Sequence, residues 1–116
     1  MISAILLLAA SLQGVWAGDQ TVASFTPKGA KIEQGCADGR IAIPVRLDRR
    51  HRFSVTGTYD AQKPGPQMES DEGPPPAIFS GEVAGQTLRL TIQPSGATKH
   101  TYTLRRGAQM KLLRCY

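Results

Sequence analysis

The main regularity of the chain is an alternation of apolar and polar residues with a period of two, which recurs along residues 18–116. Apolar residues at helical spacing, every third or fourth position, are not evident in that range. Because successive side chains of a β-strand point to opposite faces, the alternation predicts short strands that each bury one face. The sequence therefore predicts an all-β domain.

The alternation is clearest in five segments, residues 40–47, 52–59, 77–83, 86–93 and 100–106. In the first, Pro44 has no amide hydrogen to donate, which predicts an edge strand or a bulge. In the second, Gly57 stands where a side chain would point inward, which predicts a tight bend or a bulge. The third and fourth segments are joined at Ala84 and Gly85 and predict a hairpin.

The predicted inward residues of four of these segments are large and apolar or aromatic, and they fill an interior more readily than they leave a cavity. They are Ile41, Ile43, Val45, Leu47, Phe53, Val55, Tyr59, Leu88, Leu90, Ile92, Tyr102 and Leu104. Residues 20–26 and 30–33 are weaker strand candidates, and a closing strand at residues 109–116 needs a bulge or burial on both faces. Seven or eight short strands in series predict an antiparallel meander, either a small up-and-down β-barrel of the lipocalin type or a β-sandwich.

Residues 60–77 interrupt this pattern with five prolines and a group of acidic side chains, Glu69, Asp71 and Glu72. The stretch is several times longer than an ordinary hairpin loop, and loops of that length are usually functional or disordered. We predict a proline-rich surface loop between two strands. A recognition loop, or a lid over a barrel mouth, is the alternative.

The N-terminal residues 1–17 are uncharged and largely apolar, and they end in the small-x-small pattern Val15, Trp16, Ala17. This pattern predicts a secretory signal peptide cleaved after Ala17, with a membrane anchor or a buried first helix as the alternatives. Residues 18–116 would then form a single secreted or periplasmic domain without a transmembrane segment. All 14 Lys and Arg and all 9 Asp and Glu residues lie in that domain, which carries the net charge of +5.

Cys36 and Cys115 are the only cysteines of the chain. In an exported domain of this size they predict a disulfide bond, with two free thiols or a metal pair as the alternatives. His51 and His100 do not add the ligand spacing that zinc sites use, so neither a metal nor a cofactor is expected. In an up-and-down meander both cysteines fall at the end that also holds the proline-rich loop, as a disulfide requires.

Arginines cluster around the turns that the meander places at the opposite end. These predicted binding residues are Arg49, Arg50, Arg52, Arg105 and Arg106. Guanidinium groups bind phosphate, sulfate and carboxylate through forked hydrogen bonds, so the cluster predicts a rim for an anionic ligand, an anionic envelope surface or an acidic protein partner. The alternative is that charged turns only keep strand ends soluble and unpaired.

Several motifs along the chain together carry a resemblance to other proteins. They are Cys36 with Gly39, the run FSVTGTY, the segment Pro64–Pro66, the segment Phe79–Ile92, the segment Tyr102–Gly107 and the closing LLRCY. From about Ile32 onward the chain resembles this uncharacterised group of β-domain proteins. The resemblance implies a secreted β-domain and no activity, and the chain departs from it where DRRHR replaces a short turn of Asp and Gly.

The sequence favours binding over catalysis. It contains no G-x-S-x-G, no H-E-x-x-H and no phosphate-binding glycine loop,. A hydrolase using two of the carboxylates Asp60, Glu69, Asp71, Glu72 and Glu82 is a weaker alternative. Nucleic acid is not expected as a partner, because Phe and Tyr alternate mostly onto the apolar face. We predict a non-catalytic binding domain or, alternatively, an interaction or inhibitor module that presents the proline-rich loop.

Overall fold

The computed structural model describes residues 12–61 and 74–113, and these form a closed antiparallel barrel of eight strands. Each strand pairs with the next along the chain, and the last pairs with the first. The all-β prediction is confirmed, and the closed barrel excludes the sandwich. The strands are β1 Gly14–Gly18, β2 Thr21–Thr26, β3 Gly29–Gln34, β4 Ala37–Ile41, β5 Arg52–Ala61, β6 Pro76–Ala84, β7 Thr87–Pro94 and β8 His100–Arg106.

We call the barrel end that holds the β6–β7 turn the upper end and the opposite end the lower end. The amide of Val83 donates to the carbonyl of His51, and the amide of Arg106 donates to the carbonyl of Gln86. These bonds place the turn at residues 48–51, the β6–β7 turn and the end of β8 together at the upper end. The prediction that the three turns share one end is confirmed.

The strand predicted over residues 40–47 is shorter than expected, since β4 ends at Ile41 and residues 42–51 are not a strand. Pro44 removes a ladder donor three residues later, and Ile43 is 52% exposed,. Val45 and Leu47 are half-buried and pack against the core. The segment therefore passes across the upper end and helps to close it.

Gly57 does not mark a bulge, because its register with Ala77 continues without interruption on both sides. Because glycine has no side chain, this position instead leaves room for the ring of Phe79. A Cβ atom at Gly57 would lie 2.9 Å from that ring, and one at Gly39 would lie 3.0 Å from it. Two strands thus leave space for one fully buried aromatic ring on a third, a fit that alternation alone does not reveal.

The inward side chains fill the barrel. The buried cluster contains Leu12, Trp16, Ala23, Phe25, Ala30, Ile32, Ile41, Phe53, Ala77, Phe79, Val83, Leu88, Leu90, Ile92 and Leu104. Near the upper end the rings of Phe25 and Phe53 meet edge to face with their centroids 6.0 Å apart. The predicted apolar interior of β7 and β8 is confirmed, with Leu88, Leu90 and Leu104 fully buried.

The strand β1 was not predicted, because its residues belong to the segment that resembles a signal peptide. Trp16 has no exposed surface, and β1 pairs with both β2 and β8 to close the barrel. The predicted cleavage site after Ala17 therefore lies inside a barrel strand. Residues 1–11, the remainder of the predicted signal peptide, lie outside the described part of the chain.

The described part of the C-terminal segment, residues 107–113, is not a strand. It follows the barrel wall to the lower end and contacts Gln20 there. The backbone amide of Gln20 donates to Met110 Sδ at 3.0 Å, and the side-chain Oε1 atom of Gln20 accepts the backbone amide of Leu113 at 3.4 Å. A side chain at Gly35 would overlap the carbonyl oxygen of Leu113. The C-terminal segment thus runs directly beside the turn that holds Cys36.

Two further predictions fall partly or wholly on residues that the structure does not describe. Cys115 is one of these residues, so its disulfide bond with Cys36 stays a prediction. The proline-rich loop is described only at its ends, since residues 62–73 lie outside the described part of the chain. No helix occurs in residues 12–61 or 74–113, and thus none there is able to span a bilayer.

Candidate functional site

A tightly bonded turn presents the first arginines of the predicted rim. Asp48 Oδ1 accepts the backbone amides of Arg50 at 2.8 Å and Arg52 at 3.0 Å. The backbone of Asp48 also bonds to Arg52 and His51, and His51 adopts a left-handed φ of 60°. The two amides, that of Arg52 first, hold the pKa of Asp48 below its usual range. The turn therefore has a fixed backbone.

Arg49 and Arg50 project from this turn into solvent. Within the described residues, neither guanidinium has a hydrogen-bond or ion-pair partner, and the Asp48 Oδ1 atom bonds to backbone amides instead. Because the backbone is already fixed, binding an anion here costs conformational entropy of the side chains and little of the backbone. Of the five predicted arginines, these two are the pair that a fixed turn carries side by side.

Arg52 lies on the outer face of β5 and is paired with Glu82 on β6. Its Nε atom is 2.7 Å from Glu82 Oε2, and both side chains are exposed. This hydrogen bond with Glu82 raises the pKa of the Arg52 guanidinium above its usual value. Arg89 on β7 is the register partner of Glu82 on its other side. One carboxylate therefore lies between two guanidinium-bearing positions.

The last two predicted arginines point in opposite directions. Arg105 is exposed on the outer face of β8, whereas Arg106 turns inward at the upper end. The guanidinium carbon of Arg106 lies 4.2 Å from the centroid of the Trp16 ring, and its Nη1 atom donates to the carbonyl of Gln13 at 3.0 Å. Arg106 thus holds β1 in place, and the five arginines are not equivalent members of one rim.

Two grooves follow one another down the outer face of β5 to β8. The upper groove has a volume of about 260 Å³ and is lined by Arg52, Ser80, Glu82, Arg89, Thr91 and Thr101, among others. The lower groove, of about 280 Å³, lies against Pro76, Ile78 and Pro94. Sequence reasoning missed this face, because only the strand register shows which outward residues become neighbours.

A third groove, of about 500 Å³, lies on the outer face of β3 to β5. Glu33, Asp38 and Asp60 are successive register partners there, while Lys31 pairs with Glu33 at 3.0 Å. No group of three or more His, Cys, Asp or Glu side chains suited to a metal occurs among residues 12–61 and 74–113. This face mixes both signs of charge and does not favour one ligand.

The interior becomes polar at the lower end. Gln34 is buried, donates to the hydroxyl of Thr21 at 3.0 Å and accepts the hydroxyl of Tyr59. Burial, with the neighbouring Tyr102 as a smaller cause, raises the pKa of Tyr59 to about 12. Because each polar atom of the Gln34 side chain has a partner, this network closes the lower end of the core rather than leaving a polar site open.

Of the carboxylates predicted for the hydrolase alternative, the two that the structure describes lie at opposite ends of the barrel. Glu82 is the register partner of Arg52 at the upper end, and Asp60 is the partner of Asp38 at the lower end. Glu69, Asp71 and Glu72 lie outside the described residues. The histidines are likewise separated, with His51 in the upper turn and His100 at the lower start of β8.

Comparison with known proteins supplies no function for this chain. No protein-family model matches it, and neither a curated protein nor a solved structure matches it significantly. Up-and-down barrels carry many unrelated functions, so the fold alone selects none of them. The filled interior and the chemistry of the outer surface are the features of this barrel that bear on function.

Proposed function

We propose that this protein is a non-catalytic binding domain, secreted or periplasmic, that binds anionic groups through arginines at its upper end. A packed interior supports this proposal, because it directs ligands to the outer surface,. The observation that carries it is the turn built on Asp48, which fixes the backbone beneath the exposed Arg49 and Arg50.

Charge supports the same reading. The chain carries a net charge of +5, and Arg105 adds a third exposed guanidinium at the upper end. Arginine binds phosphate and carboxylate as a planar fork, and cations beside one another raise the local concentration of anions. An anionic envelope surface is the ligand that an exported domain of this charge would meet first.

A disulfide bond between Cys36 and Cys115 belongs to this proposal. The carbonyl of Leu113 lies beside Gly35, so the C-terminal segment reaches the neighbourhood of Cys36 two residues before Cys115. Closing a loop of this length would stabilise the fold by about 4–5 kcal/mol in the chain-entropy account. The oxidised protein should have an intact mass two hydrogens below that of the reduced chain, and an unchanged mass on reduction would contradict the pairing.

The test of anion binding is sedimentation with vesicles of phosphatidylglycerol at low salt. We expect the double variant Arg49→Gln/Arg50→Gln to bind about 30-fold more weakly, since each cation near an anionic surface contributes about 1 kcal/mol. The matched control is Lys31→Gln/Arg40→Gln, which removes the same charge from the outer face of β3 and β4. It should change binding less than about twofold if the upper end faces the membrane.

Two results would overturn the proposal. Equal losses in the two double variants would mean that the vesicles sense only the net charge of the domain. Unchanged binding after loss of Arg49 and Arg50 would mean that the upper turn takes no part. Thermal unfolding of each variant serves as the control for folding, and the exposed positions of all four side chains predict little change,.

A further inference from the structure

We infer that the outer face of β5 to β8 is a binding site for an anionic amphiphile, that is, a molecule with a phosphate or carboxylate group, a polar middle and an apolar part. This inference goes beyond the proposed function, because it names a class of ligand and places it on a face of the barrel separate from the turn that carries Arg49 and Arg50. Three rows of side chains, each at a different height on this face, carry the argument.

The uppermost row is cationic. Arg52, Glu82 and Arg89 are successive register partners across β5, β6 and β7, with Glu82 in the middle. Glu82 is bonded to Arg52 at 2.7 Å, whereas Arg89 has no ion-pair partner among the described residues. Two guanidinium groups beside one carboxylate leave one positive charge uncompensated, and Arg89 is the group free to bind a phosphate or carboxylate.

The middle row consists of hydroxyl groups. Ser80, Thr91 and Thr101 are successive register partners on β6, β7 and β8, and they line the same 260 Å³ groove as the two arginines. The hydroxyls of Thr91 and Thr101 lie 2.9 Å apart and bond to each other. Each hydroxyl both donates and accepts, so three hydroxyls on adjacent strands, whose backbones lie about 5 Å apart, suit a ligand that carries several oxygens.

The lowest row is apolar. Ile78 stands two residues before Ser80 on the outer face of β6 and is 48% exposed. It lines the 280 Å³ groove together with Pro76 and Pro94. A single exposed isoleucine is ordinary, but this one lies in line with the hydroxyls and the cations, about 14 Å below Glu82 at 3.4 Å per residue.

The closed barrel limits what kind of partner this face is able to take. Every described strand is hydrogen-bonded to two neighbours, so the face has no unpaired edge on which a peptide strand would add itself,. Recognition has to come from side chains alone. The order of cationic, hydroxyl and apolar rows matches the order of groups in a lipid phosphate or an acylated sugar acid.

The experiment uses monomeric short-chain lipids and the full chain, measured by isothermal titration calorimetry at low salt. Dihexanoyl phosphatidic acid is the probe, and dihexanoyl phosphatidylcholine and inorganic phosphate are the comparisons. We expect phosphatidic acid to bind at least about tenfold more tightly than either comparison. Arg89→Gln should weaken its binding by about tenfold, and Ile78→Thr by about fivefold through lost apolar contact.

The control variants separate this site from the upper turn. Lys31→Gln, on the outer face of β3 and away from β5 to β8, should leave the affinity for phosphatidic acid unchanged. If Ile78→Thr has no effect while Arg89→Gln weakens phosphatidic acid and inorganic phosphate equally, the site takes an anion only and the amphiphile is excluded. If phosphatidic acid does not bind, or if only Arg49→Gln/Arg50→Gln weakens it, this site is overturned, while vesicle binding that depends on Arg49 and Arg50 keeps the proposed function standing.

Discussion

Arg106 lies over the indole ring of Trp16, with its guanidinium carbon 4.2 Å from the ring centroid. The same residue pair joins the first strand of the barrel to the last, since Trp16 and Arg106 are register partners. The Trp16 Nε1 atom donates to the carbonyl of Leu12 at 2.9 Å, and the amide of Gly107 donates to the carbonyl of Val15 at 2.8 Å. Residues 12–17 are therefore part of the folded domain.

A chain that begins at Gly18 should not form the closed barrel, whereas one that begins at Leu12 should. Truncation at Gly18 removes most of β1, so β2 and β8 lose the strand that pairs with both of them. Loss of the buried Trp16 side chain alone would lower the free energy of unfolding by about 3–5 kcal/mol. Urea unfolding of the two chains provides the comparison. Equal midpoints and equally cooperative transitions would show that β1 is dispensable.

The protein isolated from its native compartment should retain Trp16. Because Trp16 is the only tryptophan of the chain, its fluorescence reports directly on this. A fully buried indole should emit at short wavelength and shift to longer wavelength on unfolding. A product that starts at Gly18, detectable by its lack of tryptophan emission and by its intact mass, would contradict this prediction and support cleavage after Ala17.

The sequence predicted β5 to β8 well because their outward side chains are polar and their inward side chains apolar. It failed for β1, since Trp16 and Ala17 are neighbours on opposite faces and both are buried. A strand covered on both faces reads as a continuous apolar run, as a signal peptide does. The strand predicted beyond Ile41 failed because alternation continues in a segment that packs Val45 and Leu47 onto the core without pairing.

The candidate site was less predictable than the fold. The sequence identified the arginines, but it did not show that Arg106 would stack on Trp16 or that Arg52 would pair with Glu82. Both contacts depend on strand register across the barrel, which joins residues 30 or more positions apart. The row of hydroxyls on β6, β7 and β8 can be identified only from that register.

Folding stability should fall as the pH rises from about 10 to about 12, in part because of Tyr59. Its pKa is raised to about 12 from its usual value of 10.0, so the folded state holds the phenolic proton more tightly than the unfolded state. This contribution is fully present below pH 10 and is lost as the pH rises toward 12. Denaturant midpoints measured at intervals across this range show the loss.

The variant Tyr59→Phe isolates that contribution. It removes the hydrogen bond to Gln34 and should lower stability at neutral pH by about 1 kcal/mol, leaving a buried amide oxygen short of a donor,. Between pH 10 and pH 12 its stability should fall less steeply than that of the parent protein, because lysine and arginine titration is common to both. Parallel curves for the two proteins would show that Tyr59 ionises as freely in the folded state as in the unfolded one.

Alanine at Gly39 and alanine at Gly57 should both destabilise the core, but only the first should be relieved by a smaller side chain at Phe79. The three atoms nearest to a Cβ atom at Gly39 all belong to side chains, two in the Phe79 ring at 3.0 Å and the Cβ atom of Ile32 at 3.3 Å. At Gly57 the added atom would also overlap the backbone carbonyl of Arg40. A backbone carbonyl in a strand cannot move aside by changing a side-chain rotamer.

We expect Gly39→Ala to cost about 1 kcal/mol and Gly57→Ala about 3 kcal/mol, the usual range for overpacking. Combining each with Phe79→Leu completes a double-mutant cycle measured by urea unfolding. The coupling free energy should offset most of the cost of Gly39→Ala and little of the cost of Gly57→Ala. Equal coupling at both glycines would mean that Phe79, and not the β4 backbone, sets the space available at Gly57.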